Sequence, residues 1–288
     1  KGQIVGILGV NGAGKTTTIK MLTTMIEPTK GTITVDGIDA IKNNMAIKKK
    51  INLITGGERN IYWRLTAQEN LEYFGALYGL SSQKLKKRVE EVLKIVNLYN
   101  DKDTPVEKYS KGMKQRLQIA RGLINDPEYI FMDEPTLGLD IVIAKELREF
   151  IKKIAYEESK GVILTTHYIS EAEELCDYIY VIDAGRFIFE GTAQDLKNKY
   201  NAVNKYKIEF ELLNKDFVPC LKSENSEYVV TESDYNYNTI IVETYNDNIL
   251  DIIKISNLYN QTIIKFTNIE LSLEDALFKL MEDVSNEV

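Results

Sequence analysis

The chain has 288 residues, a length that fits two domains or one large α/β domain. Lys and Arg number 36 against 43 Asp and Glu, and a net charge of −7 disfavours a protein that clamps nucleic-acid backbones electrostatically. Two cysteines and one histidine rule out a disulfide framework, a four-cysteine zinc site and a three-histidine zinc site, and suit a reducing compartment such as the cytoplasm.

No apolar run reaches the roughly 18 residues needed to span a bilayer, so a membrane role requires another chain. The chain opens Lys1-Gly2-Gln3, without an initiator methionine, directly into an apolar strand at Ile4 to Leu8, the pattern of a fragment. A glycine-rich turn follows over Gly9 to Gly14, then a helix from about Thr16 to Met25 that stops before Pro28. Residues 31 to 39 alternate apolar and polar about Asp36-Gly37 and read as a hairpin. From about Thr66 to Asn125 the period is helical, with Leu85, Val89, Val92, Leu93 and Val96 on one face and a solvated basic face of Lys84, Lys86, Lys87 and Arg88. Tyr129 to Met132 and Val162 to Thr165 are short apolar runs separated by a helix near Ile143 to Ser159, which predicts parallel strands joined by crossovers.

Around residues 197 to 206 the composition turns polar, and a linker is expected there. Beyond it Ile208, Phe210 and Leu212 alternate with charged residues. Further strands are expected at Tyr228 to Thr231, Ile240 to Val242 and Thr262 to Phe266, with helices at Ile249 to Leu258 and from Leu273, the last capped by Ser272 and Asp275. The domain plan is residues 1–196, with a helical subdomain at about 66–125, and a small α+β domain at 205–288.

Gly9-Val-Asn-Gly-Ala-Gly14-Lys15-Thr16 fits G-x-x-x-x-G-K-[ST] between a strand and a helix, the context this phosphate loop requires. Its glycines let backbone N–H groups converge on phosphate oxygens at a helix N-terminus, whose dipole favours an anion. The nucleotide-binding set is Gly9, Asn11, Gly12, Ala13, Gly14, Lys15, Thr16 and Thr17, with Lys15 directed to the β/γ-phosphates and Thr16 to magnesium.

Further motifs resemble, in order, those of the ATP-binding cassette, the nucleotide-binding domain of ABC transporters. Tyr109-Ser110-Lys111-Gly112-Met113 is similar to the family's signature sequence, with Tyr for the usual Leu and Lys for the first Gly. Ile130-Phe131-Met132-Asp133-Glu134-Pro135-Thr136 resembles the Walker B strand with its following glutamate, Leu139-Asp140 the D-loop, and His167 falls at the H-loop position. The resemblance implies an α/β P-loop NTPase cassette, a parallel-sheet core with a helical subdomain, here N-terminally truncated and followed by a small C-terminal α+β domain. It implies ATP and magnesium as cofactors, with Thr16 and Asp133 on the metal, and Glu134, His167 and Lys15 as the catalytic set. Two adjacent acids ending an apolar strand are costly without a cation nearby, which supports the metal role independently.

Ser110 and Gly112 open a second helix, Met113 to Leu123, whose free N–H groups make a further anion site. Its simplest use is on the γ-phosphate of a nucleotide held by another subunit, the head-to-tail ATP sandwich of this family, as a homodimer or cassette heterodimer. Lys111 either adds a charge near that phosphate or points to solvent. The family's Q-loop glutamine is missing: alignment puts Gly57 there, followed by Glu58 as a candidate substitute. Trp63, the only tryptophan, falls where the family presents a groove to a transmembrane permease subunit, or else it is buried core. The family's first strands, with the aromatic residue that stacks on adenine, would precede Lys1, so residues 1 to 288 should bind ATP more weakly than an N-terminally extended chain.

The stretch 58 to 66 and the ending Leu-Ser-Leu-Glu-Asp-Ala-Leu-Phe resemble ATPase subunits of bacterial drug, antibiotic and peptide exporters. The expectation is a cytoplasmic ATP-hydrolysing subunit, peripheral on the inner face of the cell membrane, powering an exporter without contact to nucleic acid. The other readings are a soluble cassette ATPase acting on nucleic acid or ribosomes, and a weakly hydrolysing nucleotide-gated subunit. The transported substrate is not written in this chain.

Overall fold

The computed structural model describes residues 1–55, 61–201, 204–214, 216–224, 229–234, 238–244 and 249–286. Gly57, Glu58 and Tyr228 lie outside them. The chain divides into two compact units, Lys1–Ala193 and Gln194–Val288.

The first unit is built on a six-stranded sheet. Its strands are β1 (Gln3–Leu8), β4 (Ile51–Thr55), β5 (Tyr129–Asp133), β6 (Gly161–Thr166), β7 (Tyr178–Asp183) and β8 (Arg186–Gly191), in the order β4-β5-β6-β1-β7-β8. All neighbours are parallel except β7 and β8. The central strands are continuous apolar runs, as a sheet covered on both faces requires: Ile4, Ile54, Ile130, Met132, Val162 and Leu164 are fully or almost fully buried. The hairpin β2 (Thr34–Val35) with β3 (Ile38–Asp39) turns on Asp36 and Gly37, both at positive φ as its two-residue turn demands.

Helix α1 (Lys15–Leu22) is shorter than its expected Thr16 to Met25. The Thr23 hydroxyl donates to the Ile19 carbonyl (2.8 Å) and Thr24 turns to φ 58°, which ends the helix one turn early. A short helix, α2 (Asn44–Lys50), leads into β4; neither is marked by the sequence pattern.

The helical subdomain holds α3 (Ala67–Leu77), α4 (Ser82–Ile95) and α5 (Lys111–Leu123). Thr66 and Glu69 form a reciprocal capping box on α3. The apolar face of α4 packs as its period predicts, with Val89, Val92 and Leu93 buried. Its basic face is not uniformly solvated. Arg88 is only 16% exposed and donates to the Leu123 carbonyl (2.7 Å) and to Asp126 (3.2 Å), tying α4 to the end of α5. A long stem lets arginine reach back from a polar face, which a helical wheel cannot register. Arg88→Ala should therefore cost about 1–2 kcal/mol in urea denaturation, against about 0.5 kcal/mol or less for Lys84→Ala. Equal effects would mean that the tie contributes nothing.

Helix α6 (Ile141–Tyr156) connects β5 to β6, and α7 (Ile169–Leu175) connects β6 to β7. The expected linker at 197 to 206 is instead largely regular structure. Helix α8 (Ala193–Tyr200) buries Leu196, and β9 starts at Asn204 with Tyr206 inward, so a polar composition there reflects elements buried on one side only.

The second unit runs β9 (Asn204–Phe210), α9 (Phe217–Glu224), β10 (Val229–Asp234), β11 (Thr239–Thr244), α10 (Ile249–Leu258) and β12 (Ile263–Asn268). The sheet order is β10-β11-β9-β12 with every neighbour antiparallel, the split βαβ arrangement of ferredoxin-like folds. Tyr206, Ile208, Phe210, Ile240 and Val242 face the core, while Lys205, Lys207, Glu209 and Glu243 lie on the other face. Leu212, expected to continue the alternation, lies beyond β9 and is exposed. The last helix, α11 (Leu273–Asn286), is capped as expected: Ser272 accepts from the Asp275 N–H (3.1 Å).

Candidate functional site

In a parallel sheet the carboxyl ends of neighbouring strands open on one edge, and side chains just beyond them converge. Leu8 is in register with Thr166, and Asp133 with Thr165, so the loops after β1, β5 and β6 leave the sheet side by side.

The loop after β1 is tightly seated. A Cβ on Gly9 would stand 2.3 Å from the Ile182 carbonyl oxygen, Gly12 and Gly14 have φ of 87° and 112°, and the Gly185 N–H donates to the Ala13 carbonyl (2.9 Å). Only glycine meets the first demand, and glycine meets the others without strain. Ala13 is buried, whereas Asn11, Gly12, Thr16 and Thr17 are exposed at the mouth. Lys15 folds back over the loop, its ammonium donating to the carbonyls of Gly9 (2.7 Å) and Val10 (3.1 Å). Gly14 caps α1, so the first N–H groups of the helix face the loop without an intrahelical partner.

Asp133 ends β5 and receives two hydroxyls. Thr16 lies 3.1 Å from each carboxylate oxygen, and Thr165 donates to Oδ1 at 2.7 Å. The next residue, Glu134, sits at φ 49°, a conformation that costs on the order of 1 kcal/mol or more for a side chain with a Cβ. Its N–H donates to both the carbonyl and the hydroxyl of Thr165 (3.1 Å each), which holds the kink. His167 follows β6, with Nδ1 3.2 Å from Glu134 Oε1 and its ring against Tyr168. Sequence reading missed Thr165. The one available signal was a polar residue, two positions before the histidine, at the end of an apolar strand.

Ser110 and Gly112 are placed elsewhere, at the start of α5 against α6. Ser110 is the N-cap, accepting from the Met113 N–H (3.2 Å), and a Cβ on Gly112 would meet Ile143 at 2.8 Å. Lys111 is exposed, and its ammonium bonds the carbonyl of Gly138, in the loop that leads to Asp140. Asp140 caps α6, accepting from the Ile143 N–H (3.0 Å). Gln115 of α5 donates to the buried Pro135 carbonyl (3.0 Å), connecting this helix to the loop of Glu134.

Trp63 is not buried core. It is 47% exposed, with the Lys114 ammonium 4.2 Å from its ring centroid, and it follows Tyr62, whose ring meets that of Tyr73 edge-on (5.1 Å). Among the described residues no group of three or more His, Cys, Asp or Glu side chains is placed to hold a metal, and no helix is long and apolar enough to cross a membrane.

The family model for ABC transporters matches residues 1–137. The chain is 44% identical over 196 residues to the ABC transporter ATP-binding protein NatA of Bacillus subtilis, covering 68% of this chain and 79% of that one. It is 35% identical to the bacitracin transport ATP-binding protein BcrA of Bacillus licheniformis, over 98% of this chain and 89% of that one. Among solved structures, cbiO1 from Clostridium perfringens, part of the ABC transporter complex cbiONQ, aligns with a TM-score of 0.64 at 27% identity, covering 69% of this chain and 81% of that one. A dimeric post-hydrolysis state of the ATP-binding cassette MJ0796 bound to ADP and Pi aligns with a TM-score of 0.58 at 29% identity, covering 66% and 85%. The chain belongs to the ABC transporter family as one of its ATP-binding subunits, an ATPase that works on ATP with magnesium.

Proposed function

We propose that the chain powers an exporter of drug-like, antibiotic or peptide molecules, docked on the cytoplasmic face of a separate transmembrane permease and working as a cassette dimer. The observation that carries the hydrolytic part is the meeting of Glu134, His167, Asp133 and Thr16 at the mouth of the glycine loop. The exporter assignment is supported by relatives that include the bacitracin transport protein and the daunorubicin resistance ATP-binding protein DrrA3.

In this reading the backbone N–H groups of residues 9 to 14 and the start of α1 cradle the phosphates, with Thr17 at the same helix start. Lys15 exchanges its two carbonyl partners for the β/γ-phosphates. One carboxylate and one hydroxyl are hard oxygen donors that suit a magnesium ion, so Asp133 and Thr16 would hold it, with phosphate and water completing the shell. The ion supplies charge neutralisation at the phosphates. Glu134 takes the proton of the attacking water, and His167, against it, orients that water and contacts the γ-phosphate. Ser110 and the N-terminus of α5, carrying Gly112, act on the nucleotide of the opposing subunit.

The half-exposed Trp63, next in the chain to the exposed Tyr62–Tyr73 ring pair, supports a permease contact, since large aromatic side chains left in water are the kind of surface that binds a partner. Trp63→Ala should weaken co-purification of the permease about 10-fold or more while ATP turnover of the isolated chain stays within about 2-fold. Undiminished co-purification would remove Trp63 from the interface.

A further inference from the structure

Helix α5 starts beside the loop that follows Glu134 and holds it at two points. Gln115, buried on α5, donates to the Pro135 carbonyl (3.0 Å), and the Lys111 ammonium bonds the Gly138 carbonyl. Residues 111 and 115 are one turn apart, so their side chains leave the same face of the helix. Their two acceptors bracket the stretch Pro135-Thr136-Leu137-Gly138, which begins directly after Glu134. The stretch is also tied to itself, the Leu137 N–H donating to the Glu134 carbonyl (3.2 Å) and the Leu139 N–H to the Thr136 carbonyl (3.1 Å). A displacement of either acceptor therefore reaches Glu134 through main-chain bonds.

The two contacts differ in kind. Gln115 supplies a donor to a carbonyl shut off from water, which would be costly to leave unpaired. Lys111 is exposed, and it is the first residue of α5, where the helix dipole disfavours a cation. Stability of the helix does not account for a lysine there, and the family's signature has glycine at this position. The contact across to the loop does: a Cβ on Gly138 would stand 3.3 Å from the ammonium. The same face of α5 continues onto α6, since a Cβ on Gly112 would meet Ile143 at 2.8 Å and Arg116 pairs with Glu146.

We infer that Lys111 and Gln115 are positioning residues for ATP hydrolysis, a two-point clamp that fixes the Glu134 loop to the start of α5. Neither acts on the reacting atoms. The clamp joins, within one chain, the helix end that acts on the opposing subunit's nucleotide to the base that acts on the chain's own. Glu134, already strained at φ 49°, is thus held by Thr165 on one side and by α5 on the other.

The inference rests on the roles proposed above for Glu134 and the start of α5. It is tested on the full chain by kcat and KM for ATP, with thermal melting to verify folding. Lys111→Met, which keeps the reach and removes the donor, should lower kcat about 5-fold or more and leave KM within about 2-fold. Lys111→Arg, which restores a donor, should bring kcat back to within about 2-fold of the parent. Gln115→Leu should lower kcat about 10-fold or more, and adding Lys111→Met should cost no more than about 2-fold beyond that, because both act through one loop. Should Gln115→Leu fail to fold, the exposed Lys111 variants carry the test.

A direct contact of Lys111 with the γ-phosphate of the opposing subunit's nucleotide is the rival use of the same side chain. It is separated in the Glu134→Gln background, where adding Lys111→Met should leave the ATP concentration that drives dimer formation within about 3-fold on size exclusion. A larger rise would assign Lys111 to the phosphate and overturn the clamp. A parental kcat in Lys111→Met, no recovery in Lys111→Arg, a loss confined to KM, or losses that multiply with Gln115→Leu would overturn it too. If Glu134→Gln alone leaves turnover unchanged or forms no dimer with ATP, it is the reading of the site that fails, which separates the two cases.

Discussion

Glu134→Gln should lower ATP turnover by about 100-fold or more while nucleotide affinity stays within a few-fold of the parent, because glutamine keeps the shape of the side chain and removes only its basicity. The fold should tolerate the change. The strained backbone at φ 49° is held by main-chain bonds to Thr165, not by the carboxylate, and the side chain is partly open to water. With ATP bound and not consumed, the variant should accumulate as a nucleotide-bound dimer. Size-exclusion chromatography with and without ATP and magnesium reads this directly. Unchanged turnover would remove Glu134 as the base, and loss of ATP binding would show that its carboxylate holds the nucleotide instead.

How much of this was legible without coordinates depended on whether a role is encoded locally. The glycine loop was readable because its residue types state backbone geometry: Gly12 and Gly14 lie at positive φ, and Gly9 leaves no room for a Cβ. Asp133 and Glu134 were readable because acids ending an apolar strand demand a partner. Thr165 was not, since threonine in a strand is an ordinary strand former, and its role arises only from the parallel register that sets it opposite Asp133. Strand β4 escaped for a similar reason. Asn52 interrupts its apolar pattern and three lysines precede it, and its strand character comes from pairing with β5 and from the Asn52 to Asn125 bond (2.7 Å). Arg88 and Trp63 show that exposure cannot be read from residue type alone. Arg88 shares a polar face with three lysines and is still pinned, while Trp63, whose carbonyl accepts the Glu107 N–H (2.9 Å), keeps a half-exposed ring covered on one side by the Lys114 ammonium. In the second unit the strands were visible, but their order was not, because the split βαβ arrangement places β9 between β11 and β12 through contacts far apart in sequence.

Gly9→Ala should be far more damaging than Gly12→Ala, although both alter the same loop. At Gly9 an added methyl meets the Ile182 carbonyl at 2.3 Å, the Ile182 side chain at 3.1 Å and the Ala13 Cβ at 3.2 Å. The first is backbone of β7, a strand bonded to β1 on one side and β8 on the other, and it cannot swing aside. The loop must move instead, which strains the bond from Gly185 to Ala13 and shifts the Gly9 carbonyl that holds Lys15. Overpacking of this kind costs about 2–3 kcal/mol, read as a lower urea midpoint with an unchanged slope. With the cradle displaced, ATP affinity should fall about 10-fold or more, since each N–H must lie within hydrogen-bond reach of a phosphate oxygen. At Gly12 the space is open and only the φ of 87° resists a side chain, at about 1 kcal/mol. Equal stabilities for the two variants would mean that β7 does not press on the loop, and that the loop's shape is set by its own turn alone.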